Sequence, residues 1–181
     1  MPPKSQSTRF TATIRRAKDS ALGLFALVPA SVSGSSLRRG RVTARIALGG
    51  ASFEAVMEPD GQLGHWFRIP ASVAEDETIA AGDSAAFVLT TLAHQPEPNL
   101  PAAFRNLLEA SESAQQTWSR TTTLAKIDWV HWLESAKQAE TREKRAIDAI
   151  DMLAHGKTRV CCFDPSGFYS KSLSAPEEAE D

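Results

Sequence analysis

Apolar residues recur every second position through the first half of the chain, and every three or four positions through the second. From Arg9 to Arg15 the inward set is Phe10, Ala12 and Ile14, with Thr11, Thr13 and Arg15 opposite, which predicts a half-buried strand. Leu24 to Val28 is continuously apolar and is stopped by Pro29, which lacks a ladder donor. Alternation returns from Arg41 to Leu48 (Val42, Ala44, Ile46, Leu48) and from Ser52 to Met57 (Phe53, Ala55, Met57). Two further strands are expected at His65 to Ile69 and Ser84 to Leu92. Gly49-Gly50, Pro59-Asp60-Gly61 and Gly82-Asp83 supply turn chemistry between them.

The six expected strands fall into two similar halves. Leu22-Gly23-Leu24-Phe25-Ala26-Leu27-Val28-Pro29-Ala30-Ser31-Val32 is matched by Leu63-Gly64-His65-Trp66-Phe67-Arg68-Ile69-Pro70-Ala71-Ser72-Val73, with six of eleven positions identical. In each copy a proline ends a strand and begins a helical turn. A repeat of 41 residues describes architecture, one supersecondary unit per copy. With turns rich in Gly and Pro, the pattern predicts a small closed barrel over about residues 8–93, because closure removes exposed edges.

At His94-Gln95-Pro96-Glu97-Pro98 the period of two ends in a stiff linker. Asn99 is a candidate N-cap with Pro101 in the first turn of a helix reaching about Ser111, and a second helix is expected from Ala114 to Arg120. Asp128 is a candidate cap for a third, with Trp129, Trp132, Leu133 and Ala136 on one face. The period continues through Ile147, Ile150 and Leu153 to a stop at Gly156. Whether one helix or two span 128–155 is open, since Gln138 to Thr141 is polar on every face. The helical domain is thus expected at 98–157, packed on the barrel through its tryptophans, and 158–181 is expected to be a mostly disordered acidic tail.

Charge changes this picture only locally. The net charge of -2 conceals nine Lys/Arg against the single acid Asp19 in residues 1–45. Neither an apolar leader core nor a run near the ~20 residues of a membrane span is present, and the adjacent Cys161 and Cys162 make no disulfide framework. A cytoplasmic protein is expected.

Trp129-x-x-Trp132-Leu133-x-x-Ala136-Lys137-x-x-Glu140-Thr141-Arg142-x-x-Arg145-x-Ile147, closing at Leu153-x-x-Gly156, resembles the signature of the YdeI/OmpD-associated family. Phe10 to Leu92 resembles the small barrel domain of unknown function that precedes it in bacterial proteins. The resemblance implies an α+β protein: a pseudo-symmetric, double-split β-barrel, a grouping shared with AbrB-like DNA-binding proteins, followed by a helical C-terminal domain. The family's alternative label, bacteriocin protection, implies no catalytic residue.

Three constellations carry candidate chemistry. Lys137, Glu140, Thr141, Arg142 and Arg145 form either a salt-bridged helix face or an anion- or partner-binding patch, where the arginines would supply forked donors. Arg15, Arg16, Lys18, Arg38, Arg39, Arg41 and Arg45 form a solvated face or a polyanion contact. The second copy has Ala81 and Asp83 where the first has Arg39 and Arg41, so the repeated backbone does not itself demand positive charge. His65, with Glu58 and Asp60 nearby, lacks a nucleophile, a second His or an oxyanion motif. No histidine pair has metal-ligand spacing, so no metal, cofactor or enzymatic activity is expected.

The leading expectation is a non-enzymatic interaction or stress-tolerance protein of this family type. Nucleic-acid or polyanion binding by the basic first copy, and a small-ligand sensor with a pocket between barrel and helices, are the alternatives. The partner and the oligomeric state are open.

Overall fold

The computed structural model describes residues 4–180 and resolves two compact units: the described residues up to His94 together with those from Ser166 onward, and Gln95–Pro165. Met1–Pro3, part of the leader expectation, and Asp181, part of the tail expectation, lie outside the described residues.

The first unit contains β1 (Ser7–Thr13), β2 (Arg15–Arg16), β3 (Leu24–Val28), α1 (Ala30–Ser36), β4 (Val42–Leu48), β5 (Ala51–Pro59), β6 (His65–Ile69), α2 (Ala71–Asp76) and β7 (Ser84–Thr91). The strands form one antiparallel sheet in the order β1-β7-β4-β5-β6-β3-β2, curled so that β1 also touches β3. Its ladder leaves edges at β1 and β2, making a half-barrel where the pattern predicted full closure. Val42, Ala44, Ile46 and Leu48 all point inward along β4, as the alternation requires. Phe67 lies edge-on to Phe87 at 5.4 Å, and Phe10 stacks on Phe87 at 5.3 Å, at the centre of this core.

The differences from expectation are local. The single strand foreseen over Arg9–Arg15 is two pieces, giving seven strands rather than six. Fully buried Ile14 leaves the ladder, accepts from the Gly82 N–H and donates to the Asp83 carbonyl. Pro29 and Pro70 do precede helices, but α1 continues through the small residues to Ser36 rather than ending after one turn.

The largest difference concerns the tail. Residues 166–180, expected to be disordered, return to the sheet's β2 edge. Lys18 donates to the Glu177 carbonyl, Ala179 donates to Arg16, and Glu178 bridges Ala17 in antiparallel fashion. An uncovered strand edge presents unpaired backbone groups, and this segment satisfies them. The acidic composition that suggested disorder instead meets a basic edge: Glu178 pairs with Arg15 at 2.8 Å and Glu177 with Lys18 at 3.2 Å.

The second unit holds α3 (Ala102–Glu109), α4 (Glu112–Arg120), α5 (Thr123–Glu134) and α6 (Ala139–Ala154). Two helices therefore span 128–155. Thr122, not Asp128, caps α5 through its Oγ1 and the Ala125 N–H, and Pro101 rather than Asn99 occupies the cap of α3. Trp129 is fully buried beside Phe104, Leu133, Ala149 and Leu153, with Trp118 and Trp132 packed against the same cluster. The tryptophans build the core of the helical unit itself. Among the described residues, no helix is long and apolar enough to cross a membrane.

Candidate functional site

The repeat's two points of divergence meet in space. Pro29 ends β3 and starts α1, and the chain leaves α1 through Leu37 into Arg38, Arg39 and Gly40. The turn after β5 brings His65 beneath that loop. Between them lies a cavity of about 300 Å³ whose wall includes Ser33, Arg38, Arg39, Gly40, Leu63 and His65. All of these residues belong to the first unit, so the cavity is not the interdomain pocket imagined from the sequence.

His65 is buried, and its Nε2 lies 2.8 Å from the Gly40 carbonyl oxygen. A carbonyl only accepts, so Nε2 carries the proton and Nδ1 presents a lone pair. Desolvation by burial, outweighing the Gly40 hydrogen bond and the field of Asp60, holds the imidazole below its ordinary pKa of 6.5 and hence neutral. Among the described residues Nδ1 finds no hydrogen-bond partner, and neither does the Oγ of Ser33, which is also buried.

The turn under His65 is tightly specified. Asp60 Oδ1 accepts from the Gln62 and Gly64 amides at 2.8 and 2.9 Å. A Cβ on Gly64 would stand 2.6 Å from Asp60 Oδ2 and 3.1 Å from the Val28 carbonyl, so only glycine fits between them. Leu63 on the cavity rim takes a left-handed φ of 65°, uncommon for a residue with a side chain.

The predicted basic residues divide. Arg38 reaches the Arg41 carbonyl through Nη1 at 3.3 Å. Arg39 is exposed at the cavity wall and makes no hydrogen bond or ion pair with any described residue. Arg41 is turned elsewhere, half-buried against Glu58 at 3.0 Å. Arg15, Lys18 and Arg45 pair with Glu178, Glu177 and Glu54. Ion pairs thus engage at least Arg15, Lys18, Arg41 and Arg45 among these basic side chains.

The helical signature serves the chain's own geometry. Arg142 Nη1 donates to the Ala136 and Lys137 carbonyls at 2.9 and 3.0 Å. Arg145 Nη1 donates to the Trp132 carbonyl at 2.6 Å and to Ser135 Oγ at 3.0 Å, while its guanidinium lies 5.1 Å from the Trp132 ring centre. Arg145 closes the C-terminal end of α5, where helix carbonyls lack internal partners, and Arg142 fastens the turn that follows it. Lys137 stands in the turn before α6 rather than on it, and Glu140 and Thr141 are exposed. Lys144 pairs with Asp148 at 3.1 Å. A second cavity of about 370 Å³, lined by Phe104, Leu133, Ala139, Arg142, Glu143 and Ala146, lies alongside.

Sequence reasoning singled out Arg38, Arg39 and His65 separately but missed Ser33, an unremarkable serine in a run of small residues. The usable signal was the mismatch between copies: His65 replaces Leu24, and Arg39 replaces Ala81.

Residues 97–156 match the family model described as "Bacteriocin-protection, YdeI or OmpD-Associated". Residues 10–89 match a second model, "Domain of unknown function (DUF1905)". No curated protein matches the chain.

Proposed function

We propose, on the premise that this chain belongs to the YdeI/OmpD-associated family and carries an N-terminal domain of unknown function, that it is a non-enzymatic cytoplasmic binding protein. Its interaction or stress-tolerance role follows from a small anion held in the cavity of the first unit. One observation carries this reading: two buried polar atoms, Ser33 Oγ and His65 Nδ1, lack partners on the wall of a cavity that Arg38 and Arg39 also line. Each unpartnered buried group costs about 1–3 kcal/mol, which a bound ligand would recover. The chemistry defines the ligand. A neutral Nδ1 only accepts, so the ligand brings a hydroxyl or N–H, and the arginines favour an adjoining carboxylate or phosphate.

The pseudo-symmetric, double-split reading of the β unit belongs to the same proposal, and the register supports it. Ala26 pairs with Phe67, its own repeat equivalent, at the middle of the β3–β6 ladder. Arg15↔Phe25 and Arg16↔Leu24 are echoed by Glu58↔Trp66 and Pro59↔His65. In such a scaffold both copies could have carried a site. Only the second presents a histidine, and only the first an arginine pair, so the cavity would be a specialised half of a symmetric frame.

Polyanion binding is the second reading. The ion pairs of Arg15, Lys18, Arg41 and Arg45 weigh against it, because these charges already have counter-ions within the fold. A thermal-shift series with small phosphate monoesters and hydroxy acids, run beside a duplex titration at two salt concentrations, separates the two. A raised midpoint that is absent in the R38A/R39A variant supports the cavity. Duplex binding that weakens steeply with salt, with no effect of the small anions, would replace it.

A further inference from the structure

Cys161 and Cys162 lie after α6, outside both matched regions. Neighbouring side chains on an extended backbone point to opposite faces. Here Cys162 has a left-handed φ of 59°, and the two Sγ atoms stand 3.0 Å apart, both thiols exposed. That is roughly 1 Å beyond the ~2.05 Å length of a disulfide bond. The segment bearing them is fastened on both sides. Trp129 Nε1 donates to the Thr158 carbonyl at 3.2 Å, and the Phe163 ring packs edge-on to His131 at 5.2 Å.

We propose that this pair is a redox modification site, closing to a reversible vicinal disulfide when it meets a hydroperoxide. The Cys161 thiolate attacks the peroxide oxygen. The O–O bond breaks, the alcohol (or water, from hydrogen peroxide) departs, and Cys161 becomes a sulfenic acid. Cys162 then attacks that sulfur, the S–S bond forms and a second water leaves. Two thiols are oxidised by two electrons and one peroxide is reduced, with both thiol protons ending in the products.

Adjacent Cα atoms are only ~3.8 Å apart, below the ~4.4–6.8 Å that unstrained disulfides span. The closed ring is therefore strained, and strained, exposed disulfides are the readily reduced ones. This explains how a pair unsuited to a structural framework in a reducing compartment serves as a transient mark.

The test is intact-mass spectrometry of the reduced full chain after dilute hydrogen peroxide, followed by peptide mapping. The expected result is loss of two hydrogens, a linkage within the single peptide containing both residues, and full reversal by millimolar dithiothreitol. C161S and C162S, changed at exposed positions where folding is insensitive, should instead gain oxygen or form mixed disulfides. An unchanged mass, accumulation of oxygen adducts in the wild type, or disulfide-linked dimers at high dilution would overturn the proposal.

Discussion

His65 donates its Nε2–H to the Gly40 carbonyl, tying the start of β6 to the end of the basic loop across 25 residues of sequence. This contact fixes the tautomer, so that a strand histidine kept neutral by burial holds its Nδ1 acceptor within the wall of the cavity. Burial of the ring, against which this hydrogen bond works, makes the first unit acid-sensitive. Burial holds the folded-state pKa below 6.5, so between that lowered value and 6.5 the unfolded chain binds the extra proton. Stability is therefore fully present above pH 6.5 and falls as the pH drops toward the folded-state pKa. Urea unfolding at pH 7.5 and 5.5 should show a loss that H65Q diminishes; an identical loss in the variant would assign the effect to other groups.

Arg145 is a structural cation. Its hydrogen bonds to Trp132 and Ser135 serve the end of α5, and its stacking on Trp132 stabilises the core side of α6. Hydrogen bonds from charged donors contribute about 1.5–3 kcal/mol when buried, so R145A at this half-buried position should cost about 1–2 kcal/mol. R145K keeps the charge but loses the planar fork and should recover only part of it. Chemical denaturation measures both, and an R145A variant as stable as the wild type would return this residue to the surface-patch reading.

The acidic tail stabilises mainly as backbone. Exposed ion pairs contribute roughly 0–1 kcal/mol each, so E177Q/E178Q should change the unfolding free energy little. Truncation after Pro165 removes the hydrogen bonds that cover β2 and the approach of Leu173 to Gly61, and should cost about 2–4 kcal/mol. It also uncovers a strand edge, so the truncated chain should self-associate in light scattering. Equal stability of the two variants would show that the tail is held by charge alone.

Local order was legible wherever a short apolar run met a proline. Leu24–Val28 and His65–Ile69 both end where the sequence pattern places them, since Pro29 and Pro70 each remove a donor at the boundary. What escaped was set by distant partners. Ile14 breaks the first strand because Gly82 and Asp83 pair with it, and the tail is ordered because β2 offers an edge. Thr122 caps α5 although Asp128 is the better-looking cap, since the helix begins earlier than the tryptophan period shows. The cavity was half legible. Comparison of the two copies pointed to Arg39 and His65, but nothing along the chain announces that Ser33 closes the same wall.

The cavity itself is tested most directly by an amide-resolved NMR titration of the full chain with glycerol 3-phosphate, a small phosphate bearing neighbouring hydroxyls. Binding in the first unit predicts saturable shifts confined to residues 33–40 and 63–65, reduced at least tenfold in affinity by R38A/R39A. Shifts that rise linearly without saturation, or that are unchanged in the double variant, would contradict it.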